Sequence, residues 1–160
     1  AESGAIIEYL VERHGQGRLV PAAGTEARRR YTYWLHYAEG SAMSPLLMKL
    51  VFDRIEATPM PFFARPIARE ISAKVKGSFI DPNLRLHLDY LEAELARGEW
   101  FTGPEFTAAD IQLSFPIELA RVRAGLDESR PRLMAFLRRI HARPAYQAAL
   151  RAAGDYSLLR

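Results

Sequence analysis

The sequence contains no cysteine. That excludes a disulfide scaffold, a thiolate zinc site and a cysteine nucleophile, and it leaves the redox compartment unreadable from thiols. Lysine is nearly missing, with three among the 22 basic residues. Arginine supplies the rest and keeps its charge to very high pH, which is why a formal charge of only +3 accompanies a pI near 9.4. A charge of +3 spread over 160 residues argues against a nucleic-acid binder. No apolar run is long enough for a membrane span, so no membrane partner is expected. The opening Ala1-Glu2-Ser3-Gly4 has neither the basic start nor the apolar stretch of a signal peptide, and the cytoplasm is the expected compartment. Strand formers are scarce too. Val, Ile and Thr total 19 residues against 75 for Ala, Leu, Arg and Glu, a balance that favours helix. With 49% hydrophobic and 26% charged residues, the chain reads as all-α, globular and of one-domain size.

The helices are legible from spacing and punctuation. A short one is expected over Glu2 to about His14, with Ile6, Leu10 and Ile7 as its apolar face and Gly15 and Gly17 as its stop. Leu19-Val20-Pro21 then reads as extended. Thr25 is a plausible N-cap for a long helix from Glu26 to about Ala57. Pro45 should kink or break that helix by crowding the Ser41 carbonyl. A third helix is expected from about Phe62 to Lys76, closed by Gly77. A fourth opens with Asp81 as N-cap and Pro82 at N1. Its apolar stripe is Leu84, Leu88, Leu91 and Leu95. Thr107 and Asp110 have the spacing of a capping box, with Phe106 placed to staple onto Ile111. That helix runs to about Arg123, and two short ones follow, Arg130 to His141 and Ala145 to Ala153. The expected fold is a helical bundle of six to seven helices.

Four segments, in order, resemble one family. Glu2-Ser3-Gly4-Ala5-Ile6-Ile7-Glu8-Tyr9-Leu10 is similar to the last helix of the thioredoxin-like domain of glutathione transferases. Tyr33-Trp34-Leu35-His36-Tyr37 resembles the start of the long first helix of their C-terminal domain, and Phe106-Thr107-Ala108-Ala109-Asp110 its capping box and staple. Arg143-Pro144-Ala145-Tyr146 looks like its last turn. The resemblance divides the chain into a remnant of a thioredoxin-like domain, residues 1–20, and an all-helical C-terminal domain, residues 21–160. It implies some seventy further residues ahead of Ala1, holding the group that activates the thiol, so this chain reads as a fragment with no catalytic residue of its own.

The resemblance also implies a site. Glutathione, as co-substrate, would meet Glu2, Ser3 and His36. A helix N-terminus offers free amides and partial positive charge to the γ-glutamyl carboxylate. A bland reading of Ser3 is that it only caps the helix. Gly40, Met43, Ser44 and Leu47 would form the wall for a hydrophobic electrophile, with Glu39 at its edge; Met43, Leu47 and His36 could equally be core or interface residues. Tyr33 and Tyr37 suggest contact within a homodimer. Thr107 and Asp110 read as structural. Arg28-Arg29-Arg30 reads as a solvated face, with Glu26 and Arg30 able to pair. His36 and Glu39 have the spacing of a metal-ligand pair, but no second such motif appears, so no metal is expected. The leading expectation is a glutathione transferase that conjugates or reduces electrophiles, inactive as this chain alone. A non-catalytic helical interaction module is the alternative, and an arginine-rich nucleic-acid binder a distant third.

Overall fold

The computed structural model describes residues 1–154 and Tyr156. Among the described residues eight α-helices account for the fold: α1 (Ser3–His14), α2 (Glu26–Tyr37), α3 (Met43–Ala57), α4 (Ala64–Val75), α5 (Asp81–Glu94), α6 (Ala108–Arg123), α7 (Pro131–Ala142) and α8 (Pro144–Ala153). Among the described residues there is no β-strand, and no helix is long and apolar enough to cross a membrane. α2 runs into α3, and α4 into α5, without leaving helical geometry, so the chain path contains six helical rods.

Each join is a π-helical turn just upstream of a proline. Ala38–Ala42 precedes Pro45, and Lys76–Ile80 precedes Pro82. Within them the hydrogen bonds reach five residues back, from the Met43 amide to the Ala38 carbonyl and from the Asp81 amide to the Lys76 carbonyl. Proline lacks the donor that an α-helix needs and crowds the preceding turn, and a wider turn relieves both. Side chains beside the prolines add donors: Ser44 Oγ donates to the Gly40 carbonyl at 3.2 Å, and Asn83 Nδ2 to the Phe79 carbonyl at 2.7 Å. The expected disruption near Pro45 is thus a change of helical register. The expected stop at Gly77 and the Asp81 N-cap are not formed. Ile80, with helical backbone, precedes Asp81, and the chain continues through both positions.

α6 lies at the centre, packed on α1, α2, α3 and α7. Ala108, Ala109, Gln112, Leu113, Pro116, Ile117 and Ala120 make one buried stripe along it. Trp34, Tyr31, Phe101 and Phe136 are the largest fully buried side chains; complete burial of an aromatic of this size contributes about 1.5–3 kcal/mol. Leu84, Leu88, Leu91 and Leu95 are buried as their spacing required. Two local expectations are corrected. α1 turns Ile7 and Val11 toward the core, while Ile6 and Leu10 stay half-exposed, because this helix is apolar on two sides. Leu19 is not extended but left-handed, φ 65°, and its carbonyl accepts from the Ala108 amide at 2.9 Å, one of the free donors at the start of α6.

The arginine run divides by function. Arg30 is no solvated residue: it donates to Glu94 Oε2 at 2.8 Å and twice to the Phe101 carbonyl, at 2.8 and 3.2 Å. Its expected helical partner Glu26 is passed over for a bond that ties α2 to α5 and to the loop after it. Arg28 donates to the Pro21 carbonyl and sits over the Tyr31 ring. Arg29 alone is fully exposed.

Candidate functional site

The first helix begins at Glu2, a residue with φ 67° that makes no side-chain cap. Its first helical bond runs from the Ile6 amide to the Glu2 carbonyl, 3.0 Å, so the amides before Ile6 lie ahead of the hydrogen-bond ladder. The Ser3 hydroxyl does not cap this end. It donates to Glu39 Oε1 at 2.8 Å and accepts from Gln112 Nε2 at 2.7 Å, while the same Gln112 nitrogen donates to Glu39 Oε1 at 2.8 Å. Three residues separated by up to 109 positions close one polar ring.

Each member is positioned by a different device. Ser3 is the first residue of α1. Glu39 stands on the π-turn between α2 and α3. Gln112 is on the buried stripe of α6 and is 5% exposed. The ring therefore joins the start of α1 to the bundle. Chemically it offers two complementary features side by side. The helix N-terminus favours an anion through free amides and dipole. The Glu39 carboxylate, exposed and using one oxygen for Ser3 and Gln112, favours a cation. An α-amino acid end carries both charges.

The remaining residues expected at the site lie along the α2–α3 rod. His36, Gly40, Ser44 and Leu47 are exposed, and Met43 is half-buried and packed on the core. A Cβ at Gly40 would meet nothing within 4 Å, so this glycine is not demanded by local packing. Glu39 belongs to the same rod and is the member that reaches Ser3. Glu2 is exposed at the end of α1. Of the two tyrosines expected at a partner surface, Tyr37 is buried and bonded to His87 Nδ1, whereas Tyr33 is half-exposed and accepts from the Tyr90 hydroxyl at 3.2 Å. Gln112 escaped sequence reasoning. The available signal was a single amide in the apolar stripe that runs from Ala108 through Pro116 to Ala120.

Thr107 and Asp110 form the capping box. Asp110 is fully buried. Its Oδ2 accepts from the Thr107 amide at 2.8 Å and from the Thr107 hydroxyl at 3.1 Å, and its Oδ1 accepts from the Phe101 amide at 3.0 Å. Burial pushes its carboxyl up to about 6, against the pull of these donors. A second buried acid, Glu118, gathers the C-terminal elements: Oε1 pairs with His141 Nε2 at 2.8 Å and accepts from the Tyr146 hydroxyl at 2.7 Å, and Oε2 accepts from the Tyr156 hydroxyl at 2.6 Å. Both clusters are enclosed by their own partners and serve the fold.

Comparison with known proteins adds the family context. The sequence profile described as "Glutathione S-transferase, C-terminal domain" matches residues 78–139. Glutathione S-transferase 3 of Schizosaccharomyces pombe is 31% identical over 157 residues, covering 98% of this chain and 64% of that protein. Glutathione S-transferase GstB of Escherichia coli K12 is 32% identical over 148 residues, 90% of this chain and 64% of that protein. The chain thus spans just under two thirds of the curated relatives it matches. Among solved structures, a glutathione S-transferase from Actinobacillus pleuropneumoniae superposes with a TM-score of 0.77 at 28% identity, over 100% of this chain and 67% of that one. A sphingomonad glutathione S-transferase complexed with glutathione gives 0.67 at 26% identity, over 98% and 69%.

Proposed function

Because the chain belongs to the glutathione S-transferase family and carries its helical C-terminal domain, we propose that it supplies the electrophile wall and part of the glutathione site of a cytoplasmic transferase. That enzyme conjugates or reduces hydrophobic electrophiles with glutathione. In this reading residues 1–20 end a thioredoxin-like domain and residues 21–160 form the C-terminal domain. The half-exposed Ile6, Tyr9 and Leu10 on α1 support a further layer against that helix.

The observation that carries the reading is the Ser3–Glu39–Gln112 ring. Glutathione's γ-glutamyl end bears a carboxylate and an ammonium, and the ring sets an anion-favouring helix end beside a free carboxylate oxygen. Glu2 and Ser3 take that end, His36 contacts the tripeptide, and Gly40, Met43, Ser44 and Leu47 face the electrophile. The reactive species is thiolate, and no residue of this chain is assigned to stabilise it. A homodimer is part of the proposal. Half-exposed Val51 and Ile55 on α3 and Ile67 and Ile71 on α4 support burial against a second copy.

The test is turnover of glutathione with a reactive aryl halide. The 160 residues alone should give no rate above solution, because one exposed helix-end contact is worth about 1 kcal/mol or less, far short of millimolar affinity. A polypeptide carrying a thioredoxin-like segment ahead of Ala1 should turn over. In it, Ser3→Ala should raise KM for glutathione more than it lowers kcat, since Ser3 holds the end remote from sulfur. Activity of the short chain, or indifference of the longer one to Ser3→Ala, would refute the assignment.

A further inference from the structure

The far end of α1, about 16 Å from Ser3 at 1.5 Å per residue, holds a feature that the transferase reading does not use. Three adjoining cavities of about 530, 550 and 260 Å³ meet there, and Leu19 and Arg143 line all three. Their sizes are in or near the range of small-molecule sites, about 300–1,000 Å³. The connector between α1 and α2 forms one wall and the start of α8 the other. The wall is fixed, because the left-handed Leu19 is tied by its carbonyl to the Ala108 amide.

Arg143 is half-buried, with its guanidinium carbon 3.5 Å from the centre of the Phe106 ring. The ring takes one face of the cation. Among the described residues, no carboxylate, carbonyl or hydroxyl accepts from its N–H edge. Arg30 and Arg130, by contrast, have acidic partners, and the half-buried Arg28 and Arg139 donate to backbone carbonyls. Arg18 lines two of the same cavities, and among the described residues its side chain donates only to the Gly15 carbonyl. His14 lines the second cavity, and the one acid on the cleft is the exposed Glu105, which forms no ion pair with either arginine. The smallest of the three is mostly apolar, walled by Ile111, Ile140, Tyr146 and Ala149, with Arg143 among its lining residues.

We propose that this cleft binds a small amphiphilic carboxylate, its tail between Ile111, Ile140 and Tyr146 and its carboxylate on Arg143 with Arg18 beside it. A planar guanidinium with a free N–H edge matches a carboxylate in bidentate fashion. Burying the tail removes apolar surface from water on both sides. The site stands apart from the Ser3 ring, and its carboxylate and tail contacts use none of the α1 residues, such as Leu10, that the transferase reading covers.

Octanoate is the probe, titrated calorimetrically below its micellar range into the 160-residue protein, with octanol as the uncharged control. One saturable site is expected, with a dissociation constant below about 1 mM, and octanol should bind at least tenfold more weakly. Methyl resonances of Ile111 and Ile140 should shift on addition. Arg143→Gln should weaken octanoate at least tenfold and bring it level with octanol. Ala149→Phe, at an exposed helical position, should block the tail and abolish binding without unfolding the chain. Absence of saturable binding, equal affinity for acid and alcohol, or octanoate binding unchanged in folded Arg143→Gln or Ala149→Phe would overturn the proposal.

Discussion

Asp110→Asn isolates the contribution of one buried charge. In the folded protein this carboxyl is fully enclosed and receives three donors, yet burial wins and raises it from the ordinary 3.8 to about 6. The folded state therefore binds the proton more tightly than the unfolded chain. The stabilisation from this group is fully present below about pH 4 and is lost as the pH rises through about 6. A shift of about two units at 1.36 kcal/mol each amounts to about 3 kcal/mol. The asparagine variant does not titrate. Its amide nitrogen would face a donor where Asp110 has an acceptor, so it should lose about 1–3 kcal/mol on that account. Urea unfolding of both proteins in half-unit steps from pH 4 to 7 gives the stability difference between them, in which the other carboxylates cancel. That difference should fall by about 2–3 kcal/mol across the range, reaching or passing zero by pH 7. Parallel curves would refute the claim that burial outweighs the three donors.

Other outcomes follow from the same geometry. Thr107→Ala should cost about 1 kcal/mol in denaturant unfolding, and its effect should not add to that of Asp110→Ala, because the two side chains close one motif. Gly15→Ala should loosen the docking of α1, since a Cβ there would run into the backbone carbonyl of Val11; amide exchange should accelerate in α1 before it does in α6, and uniform protection would contradict this. Glu118→Gln replaces a buried acceptor of three hydrogen bonds with a group that can accept at only one atom, and it should lower stability by about 1–3 kcal/mol. An unchanged thermal midpoint would show that the cluster is not coupled to the fold.

What could be read in advance was local. The capping box lies within four consecutive residues, and the α5 leucines declare their face by spacing alone. The Ser3 ring joins positions 3, 39 and 112, and no local pattern announces a bond across such separations. Of its three members the sequence points to Ser3 as a site residue and to Glu39 at the edge of one, and it gives no sign of Gln112. Asp81 and Gly77 carried the usual marks of a helix boundary, but tertiary packing of α4, α5 and α3 kept the rod continuous and absorbed Pro82 in a wider turn. α1 misled for a different reason. A helix apolar on two sides does not say which side meets the bundle. Arg30 reads from its neighbours as a solvated residue with Glu26 in reach, because its actual partners, Glu94 and the Phe101 carbonyl, are more than sixty residues away.

A π-turn is in effect one surplus residue held inside a helix. Deleting a single residue from Ala38–Ala42 would leave a chain able to wind as an unbroken α-helix, and because the wide turn absorbs that residue's usual advance of about 100°, the residues from Met43 onward would keep their faces. Leu46 would stay on the buried face, but Pro45 would again press on the turn before it. The surplus residue is therefore what lets one continuous rod carry a proline while α2 and α3 both keep their buried faces toward the bundle.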